Sequence, residues 1–134
     1  VFAQLSRHAA VDEANPLDAV MASLRDRSAL IRAWQLFLAE YPVVILPVSA
    51  EPPFPDQLDV QSEAAFDRVL EAQLVQVGLP VIGVPALTVS MSMSGNRTSG
   101  VQLVGPRYRE DVILAAGDVL ERAYPVAGPV DPAG

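Results

Sequence analysis

The sequence lacks two residue types on which much enzyme chemistry depends, since its 134 residues include no cysteine and no lysine. Without cysteine there are no disulfides, thiolate nucleophiles or thiolate metal sites. Without lysine this chain holds no Schiff base, phosphate-loop lysine or Ser/Lys catalytic pair. A single histidine, His8, excludes a metal site built from several histidines. We therefore predict no metal and no other cofactor.

Long apolar runs and clustered positive charge are also missing. No segment approaches the roughly 18 consecutive apolar residues of a membrane-spanning helix, and no basic-then-apolar leader opens the sequence. The formal net charge is -7, and the nine basic residues are arginines scattered along the chain. These features predict a cytoplasmic protein that binds neither membrane nor nucleic acid. Because the chain begins with Val1, we also expect processing or truncation upstream.

Apolar residues recur at helical spacing in three parts of the chain. Residues 17–40 contain two helical stretches after Asn15-Pro16, residues 62–77 form a helix that Gly78 is predicted to end, and Glu110 with Asp111 opens the last helix. The side chains of these two acids point about 100 degrees apart on a helix, which does not suit an acid/base pair. An interaction with the positive end of the helix dipole is the favoured interpretation.

Four apolar segments predict β-strands. They are VVIL before Pro47, Val81–Val84, the alternating segment Val89–Met93 and Val101–Val104. A hairpin turn is predicted at Gly95-Asn96, and the proline-rich segment SAEPPFPDQLD, residues 49–59, is predicted to be an irregular loop.

This order of helices and strands predicts an α/β fold with helices covering a sheet. We divide the chain into an N-terminal segment (1–16), a structured α/β core (17–123) and a C-terminal arm (124–134). Because the sheet has few strands and several continuous apolar runs, we expect it to continue in another part of a larger protein.

Two local features invite a catalytic interpretation. In the serine-rich segment Ser90–Gly100, the glycines have the spacing of a phosphate loop, but Val101-Gln102 follows where that loop requires Lys-Ser/Thr. A nucleophile elbow is not indicated either, because no pair of glycines brackets a serine. A hairpin with a solvated serine face is favoured. His8 lies in a polar stretch far from any serine-bearing turn, so a surface histidine is favoured over a general base.

Two spaced blocks resemble a known family. GLPVIGVPALTV (residues 78–89) and GVQLVGPRYREDVILAAGDVLE (residues 100–121) are similar to the C-terminal signature of the amidase signature family. The upstream segment LIRAWQLFLAEYPVVILPVSAEPPF resembles that family's helix, strand and proline loop. The likeness covers about residues 25–123.

The resemblance implies part of a mixed β-sheet flanked by helices, as in the C-terminal part of the amidase-signature fold. It also implies a hydrolase that cleaves carboxylic amide C–N bonds through a Ser-Ser-Lys mechanism. Those residues would lie upstream, so we predict no catalytic residue in this chain and no activity from it alone. Its implied partners are the N-terminal part of the same amidase and a small-molecule amide, and a homo-oligomer is left open.

The resemblance implies that this chain supplies strands of the sheet, the helices that cover it and part of the wall of the substrate pocket. Ligand sites in open sheets gather beyond strand ends, so Ser49, Gln73 and Gln76 are the predicted pocket residues. Ordinary surface or packing roles are the competing interpretation for all three. For the whole chain, the alternative is a stand-alone non-catalytic binding or scaffold module derived from the amidase fold.

Overall fold

A computed structural model of the chain describes residues 16–92 and 98–125. Five helices and three strands are found in these residues, which confirms the predicted α/β class. The elements are α1 (Pro16–Glu40), β1 (Val44–Pro47), α2 (Leu58–Gln61), α3 (Glu63–Ala72), α4 (Leu74–Ile82), β2 (Ala86–Ser92), β3 (Thr98–Val104) and α5 (Glu110–Ala123). The predicted N-terminal segment except Pro16, and the C-terminal arm beyond Pro125, lie outside the described residues.

The described strands form one antiparallel sheet in the order β1-β3-β2. β3 is central, with Val44 of β1 opposite Val104, and Ser92 of β2 opposite Thr98. The antiparallel pairing of β2 with β3 confirms the predicted strands of the hairpin. The turn predicted at Gly95-Asn96 lies outside the described residues.

The segment around Gly78 differs from the prediction. Neither the helix end at Gly78 nor the strand at Val81–Val84 is found, because α4 runs through Gly78 and Pro80 and ends only at Gly83. Leu79 and Ile82 are buried three residues apart, which is helical spacing. A short apolar run suits a buried strand or a helix equally well, and here packing favours the helix.

Two further elements depart from the sequence interpretation. α1 is one helix of 25 residues where two stretches were predicted. The continuous apolar run VVIL is typical of a buried strand, but β1 lies at an edge of the described sheet and alternates between half-buried and exposed residues, with Ile45 59% exposed. The proline-rich loop is irregular as predicted up to Gln57, after which α2 begins.

The chain divides into two compact units. The first contains the described residues up to Phe37 together with Ser49–Gly83, and the second contains Leu38–Val48 and the described residues from Val84 onward. In the first unit Ser62 caps α3, since its hydroxyl accepts the Ala65 N–H at 3.1 Å. Arg27 of α1 donates from Nε to the Val81 carbonyl of α4 at 2.6 Å.

The second unit has a core between the sheet and α5. Val89, Leu103 and Ile113 are buried in it, with partly buried apolar neighbours packed around them. α5 approaches the sheet closely at Gly117, where a Cβ atom would lie 2.5 Å from Leu87 Cδ2. The first turn of α5 contains Glu110 and Asp111, as predicted.

None of the helices in residues 16–92 and 98–125 combines the length and the apolar character that spanning a bilayer requires.

Candidate substrate-pocket wall

The turn that follows β1 contains the first predicted pocket residue. Ser49 is half-buried, and its Oγ accepts a hydrogen bond from the Glu51 backbone N–H at 3.2 Å. The intervening Ala50 donates its N–H to the carbonyl of Ala72 at 2.9 Å. The turn is therefore hydrogen-bonded to the last residue of α3.

The two predicted glutamines lie at and after the junction of α3 with α4. Gln73 is the junction residue, and its N–H donates to the carbonyls of Val69 and Leu70, both at 3.1 Å. Its own carbonyl accepts from the N–H groups of Gln76 at 2.9 Å and Val77 at 3.1 Å. Both glutamine side chains are half-buried. Gln73 is therefore hydrogen-bonded through its backbone to both helices.

The hydrogen bond from Ala50 to Ala72 brings two of the predicted residues into one neighbourhood. Ser49 precedes the donor and Gln73 follows the acceptor, while Gln76 lies almost one turn further along α4. This clustering of polar, half-buried side chains is compatible with a pocket wall. The assignment of all three residues to a substrate pocket stays a prediction.

An ion pair joins the same turn to the same helix. Arg68 of α3 donates from Nε to both carboxylate oxygens of Glu51 at 3.1 Å and from Nη2 to Oε2 at 2.5 Å. This hydrogen bonding lowers the pKa of Glu51 below its usual range and raises the pKa of Arg68. Sequence reasoning missed both residues, because they are 17 positions apart and no local pattern links them.

The second unit contains a shallow cavity of about 400 Å³. Its lining supplies hydroxyl groups and one carboxylate but no imidazole or amine that could serve as a base. The lining residues are Thr88, Ser90, Glu121, Tyr124 and Pro125. Ser90 opens the serine-rich segment, and its surroundings favour the predicted solvated serine over a nucleophile, whereas Gly95 and His8 lie outside the described residues.

Two further ion pairs join residues that are close in sequence. Arg109 binds the carboxylate of Asp111 at 2.9 and 3.0 Å, which lowers the pKa of Asp111. Arg122 pairs with Asp118 one turn away on α5. Among the described residues, no three His, Asp or Glu side chains form a group that could hold a metal ion.

Gln102 is a polar residue that was not among the predicted pocket residues. It lies on the central strand β3, between Leu46 and Thr88 in register, and is 6% exposed. It is the buried polar side chain of the described core. It lies inside the block GVQLVG, and buried amides are generally hydrogen-bonded.

The chain matches a protein-family model described as Amidase over residues 1–114. Indoleacetamide hydrolase of Bradyrhizobium japonicum is 37% identical over 113 residues, an alignment that covers 82% of this chain and 24% of that protein. Indoleacetamide hydrolase of Bradyrhizobium diazoefficiens is 35% identical over 112 residues, covering 81% of this chain and 21% of that protein. The chain therefore spans less than a quarter of the length of these two relatives.

The fold is also found in solved structures. That of 6-aminohexanoate cyclic dimer hydrolase matches with a TM-score of 0.66 and 23% identity, covering 87% of this chain and 26% of that chain. Its complex with substrate matches with the same TM-score and 22% identity, covering 90% of this chain and 27% of that chain. At this identity the likeness establishes the fold alone.

Proposed function

Because the chain belongs to the amidase family, whose model matches residues 1–114, we propose that it is the C-terminal part of an amide hydrolase. The reaction adds water across a carboxylic amide C–N bond and releases a carboxylic acid and an amine or ammonia. The observation that carries this proposal is the 37% identity to an indoleacetamide hydrolase over 82% of the chain. Indoleacetamide is therefore the first amide to assay.

Catalysis is assigned to residues outside this chain. In the proposed Ser-Ser-Lys mechanism, a neutral lysine accepts a proton through a bridging serine, and the nucleophilic serine attacks the amide carbonyl. Backbone N–H groups hold the oxyanion, the amine leaves, and water then releases the acyl group. Two facts support this assignment: the chain contains no lysine, and it spans only 24% of the relative to which it is 37% identical.

The contribution proposed for this chain is strands, covering helices and part of the pocket wall. The apolar surface of α4 supports a role inside a larger domain, because Leu74, Val77 and Val81 are each about half exposed along one face. Gly78 lies on that face, and a Cβ atom built on it would meet no atom within 4 Å. Exposed apolar patches of this kind mark surfaces that pack against something else.

α1 exposes a second apolar stripe. Leu17, Val20, Met21 and Leu24 are 46–69% exposed and follow the spacing of one helical face. The occupant that we propose for both faces is the N-terminal part of the same amidase. A homo-oligomer and a cytoplasmic location stay predictions, to be tested by light scattering and by cell fractionation.

The proposal is tested with the full-length protein that contains this chain. We expect ammonia release from indoleacetamide by the full-length protein and none by the chain alone. A fluorophosphonate probe, which labels nucleophilic serines, should modify a peptide outside residues 1–134. Label on a serine of this chain, or hydrolysis by the chain alone, would contradict the assignment. Saturable amide binding without any hydrolysis would favour the non-catalytic binding module.

A further inference from the structure

β2 lies at an edge of the described sheet, whose strand order is β1-β3-β2. The N–H of Gly105 donates to the carbonyl of Pro85 at 3.1 Å, so these two residues, which extend the register of β2 with β3 by one step, form a hydrogen-bonded pair. Hydrogen-bonded and non-hydrogen-bonded pairs alternate along an antiparallel ladder. The odd-numbered residues of β2 are therefore bonded to β3. The N–H and C=O groups of the even-numbered residues, among them Thr88 and Ser90, point away from it.

These outward-facing groups form an open hydrogen-bonding edge. No backbone partner for them is found among residues 16–92 and 98–125. No proline interrupts β2, so each outward position offers both a donor and an acceptor. In β1 the same alternation places Pro47 at an outward position, where it has no N–H to offer. With seven residues against four, β2 is the edge better suited to a further strand.

The shallow cavity of the second unit lies along this edge. Leu87 packs against Gly117 of α5, so the side chains of the even-numbered residues point to the opposite face of the sheet. The cavity is nevertheless lined both by Thr88 and Ser90 and by Glu121 of α5. It reaches both faces around the outer edge of β2, because β3 closes the other side. Its volume of about 400 Å³ therefore leaves space beside the outward N–H and C=O groups.

Charge and composition distinguish three occupants of this edge. A second copy of the chain would bring together two molecules that each have a net charge of -7, and repulsion opposes that contact. The C-terminal arm, residues 126–134, has two prolines, which donate no ladder hydrogen bond, and no basic residue to meet Glu121. The upstream part of the amidase remains, and this chain spans only 24% of a relative to which it is 37% identical.

We propose that an extended segment from the upstream part of the same amidase pairs with the outer edge of β2 and fills the cavity beside Thr88 and Ser90. Main-chain hydrogen bonds to an open sheet edge are an established mode of recognition. The inference rests on the proposed function, because the larger part of the amide hydrolase supplies the segment. It identifies an interface and assigns no catalytic step to this chain.

Hydrogen exchange in the full-length protein tests the pairing within a single strand. The N–H groups of Leu87 and Val89 are bonded to β3 and serve as the internal control. Thr88 and Ser90 should exchange as slowly as these two, since the added segment accepts their N–H groups. At an open edge they would exchange at least about tenfold faster than the control residues, because each lacks a hydrogen bond. That alternating pattern, read at single residues by mass spectrometry, would overturn the inference.

Photo-crosslinking identifies the occupant. p-Benzoylphenylalanine placed at position 88 of the full-length protein would have neighbours on the adjacent strand about 4.5–5.5 Å away. We expect the cross-linked peptide to come from the polypeptide upstream of residue 1. A link to residues 126–134, a link to a second copy of the chain, or no link at all overturns the inference.

Ser90→Pro removes one outward donor and leaves the ladder with β3 in place, because the N–H of Ser90 does not belong to that ladder. The residue before a proline also favours extended backbone, as β2 requires. Ser90→Ala is the matched control, since it loses the hydroxyl but retains the N–H. Exchange at Thr88 should rise about tenfold in Ser90→Pro and stay unchanged in Ser90→Ala. Equal exchange in the two variants contradicts the inference. If Ser90→Pro does not fold, the wild-type exchange pattern and the cross-link still decide.

Amide hydrolysis separates the two proposals. A full-length protein that releases ammonia from indoleacetamide but exchanges Thr88 and Ser90 rapidly keeps the proposed function and loses the added strand. A protein that hydrolyses no amide refutes the proposed function, while the exchange pattern and the cross-link still decide whether β2 is paired with an upstream segment.

Discussion

Gly105 follows the central strand and lies against the core of the second unit. A Cβ atom built on it would be 2.5 Å from Ile113 Cγ2. Carbon atoms in favourable contact are about 3.5–4.0 Å apart, so Gly105→Ala requires a displacement of roughly 1 Å. Ile113 is 3% exposed and packs in the core with Val89 and Leu103. Its β-branched side chain has little freedom to move away.

Two opposing contributions determine how much Gly105→Ala changes the free energy of unfolding. Alanine restricts the unfolded chain, which stabilises the protein by about 0.4–1 kcal/mol where the backbone accepts it. Gly105 is not among the residues with positive φ, so this gain applies. Overpacking of a core costs about 1–3 kcal/mol. The expected net effect is a loss of about 1 kcal/mol in the free energy of unfolding.

Gly78→Ala is the matched control, because its Cβ would meet nothing within 4 Å. Alanine at position 78 restricts the unfolded chain without a steric clash in the folded protein, so this variant should be stabilised by about 0.4–1 kcal/mol. The two variants should therefore differ by about 1–3 kcal/mol. Urea unfolding of this chain, followed by circular dichroism, measures the difference, and equal m-values show that the comparison concerns stability. If Gly105→Ala and Gly78→Ala had the same free energy of unfolding, the packing argument would be refuted.

Three other predictions concern the first unit. Gly83 ends α4 with a φ of 65°, so Gly83→Ala should cost about 1 kcal/mol in the same unfolding assay; no loss would contradict the left-handed cap. Ser62→Ala removes the cap of α3 and should also cost about 1 kcal/mol, whereas Ser62→Asn should retain most of the stability. Arg68 lowers the pKa of Glu51 in the folded protein. The stabilisation by this carboxylate is therefore complete at a pH above the pKa of Glu51 in the unfolded chain, and it is lost as the pH falls through the lowered pKa of the folded protein. NMR titration of the Glu51 carboxyl should show the pKa rising in Arg68→Gln and unchanged in Arg122→Gln.

Elements with a clear local signal were predicted well. α5 begins at Glu110, where acids favour the positive end of a helix. In β2, buried or half-buried apolar residues alternate with exposed polar ones, as the sequence pattern predicts. The family was also recognisable, because its two blocks combine several fixed positions, and the match over residues 1–114 confirms it. The apolar segment Val81–Val84 had no such signal, and its helical structure depends on which residues the surrounding unit buries.

The sequence by itself determined which chemistry this chain cannot perform, since no fold can supply a lysine or a thiol that the polypeptide lacks. It also determined the family and most elements, because these follow from residue types at short spacing. Only the tertiary structure decided that Glu51 pairs with Arg68 and that the turn holding Ser49 lies against α3. Contacts between residues far apart in the chain depend on how complete elements pack, and local spacing does not encode that packing.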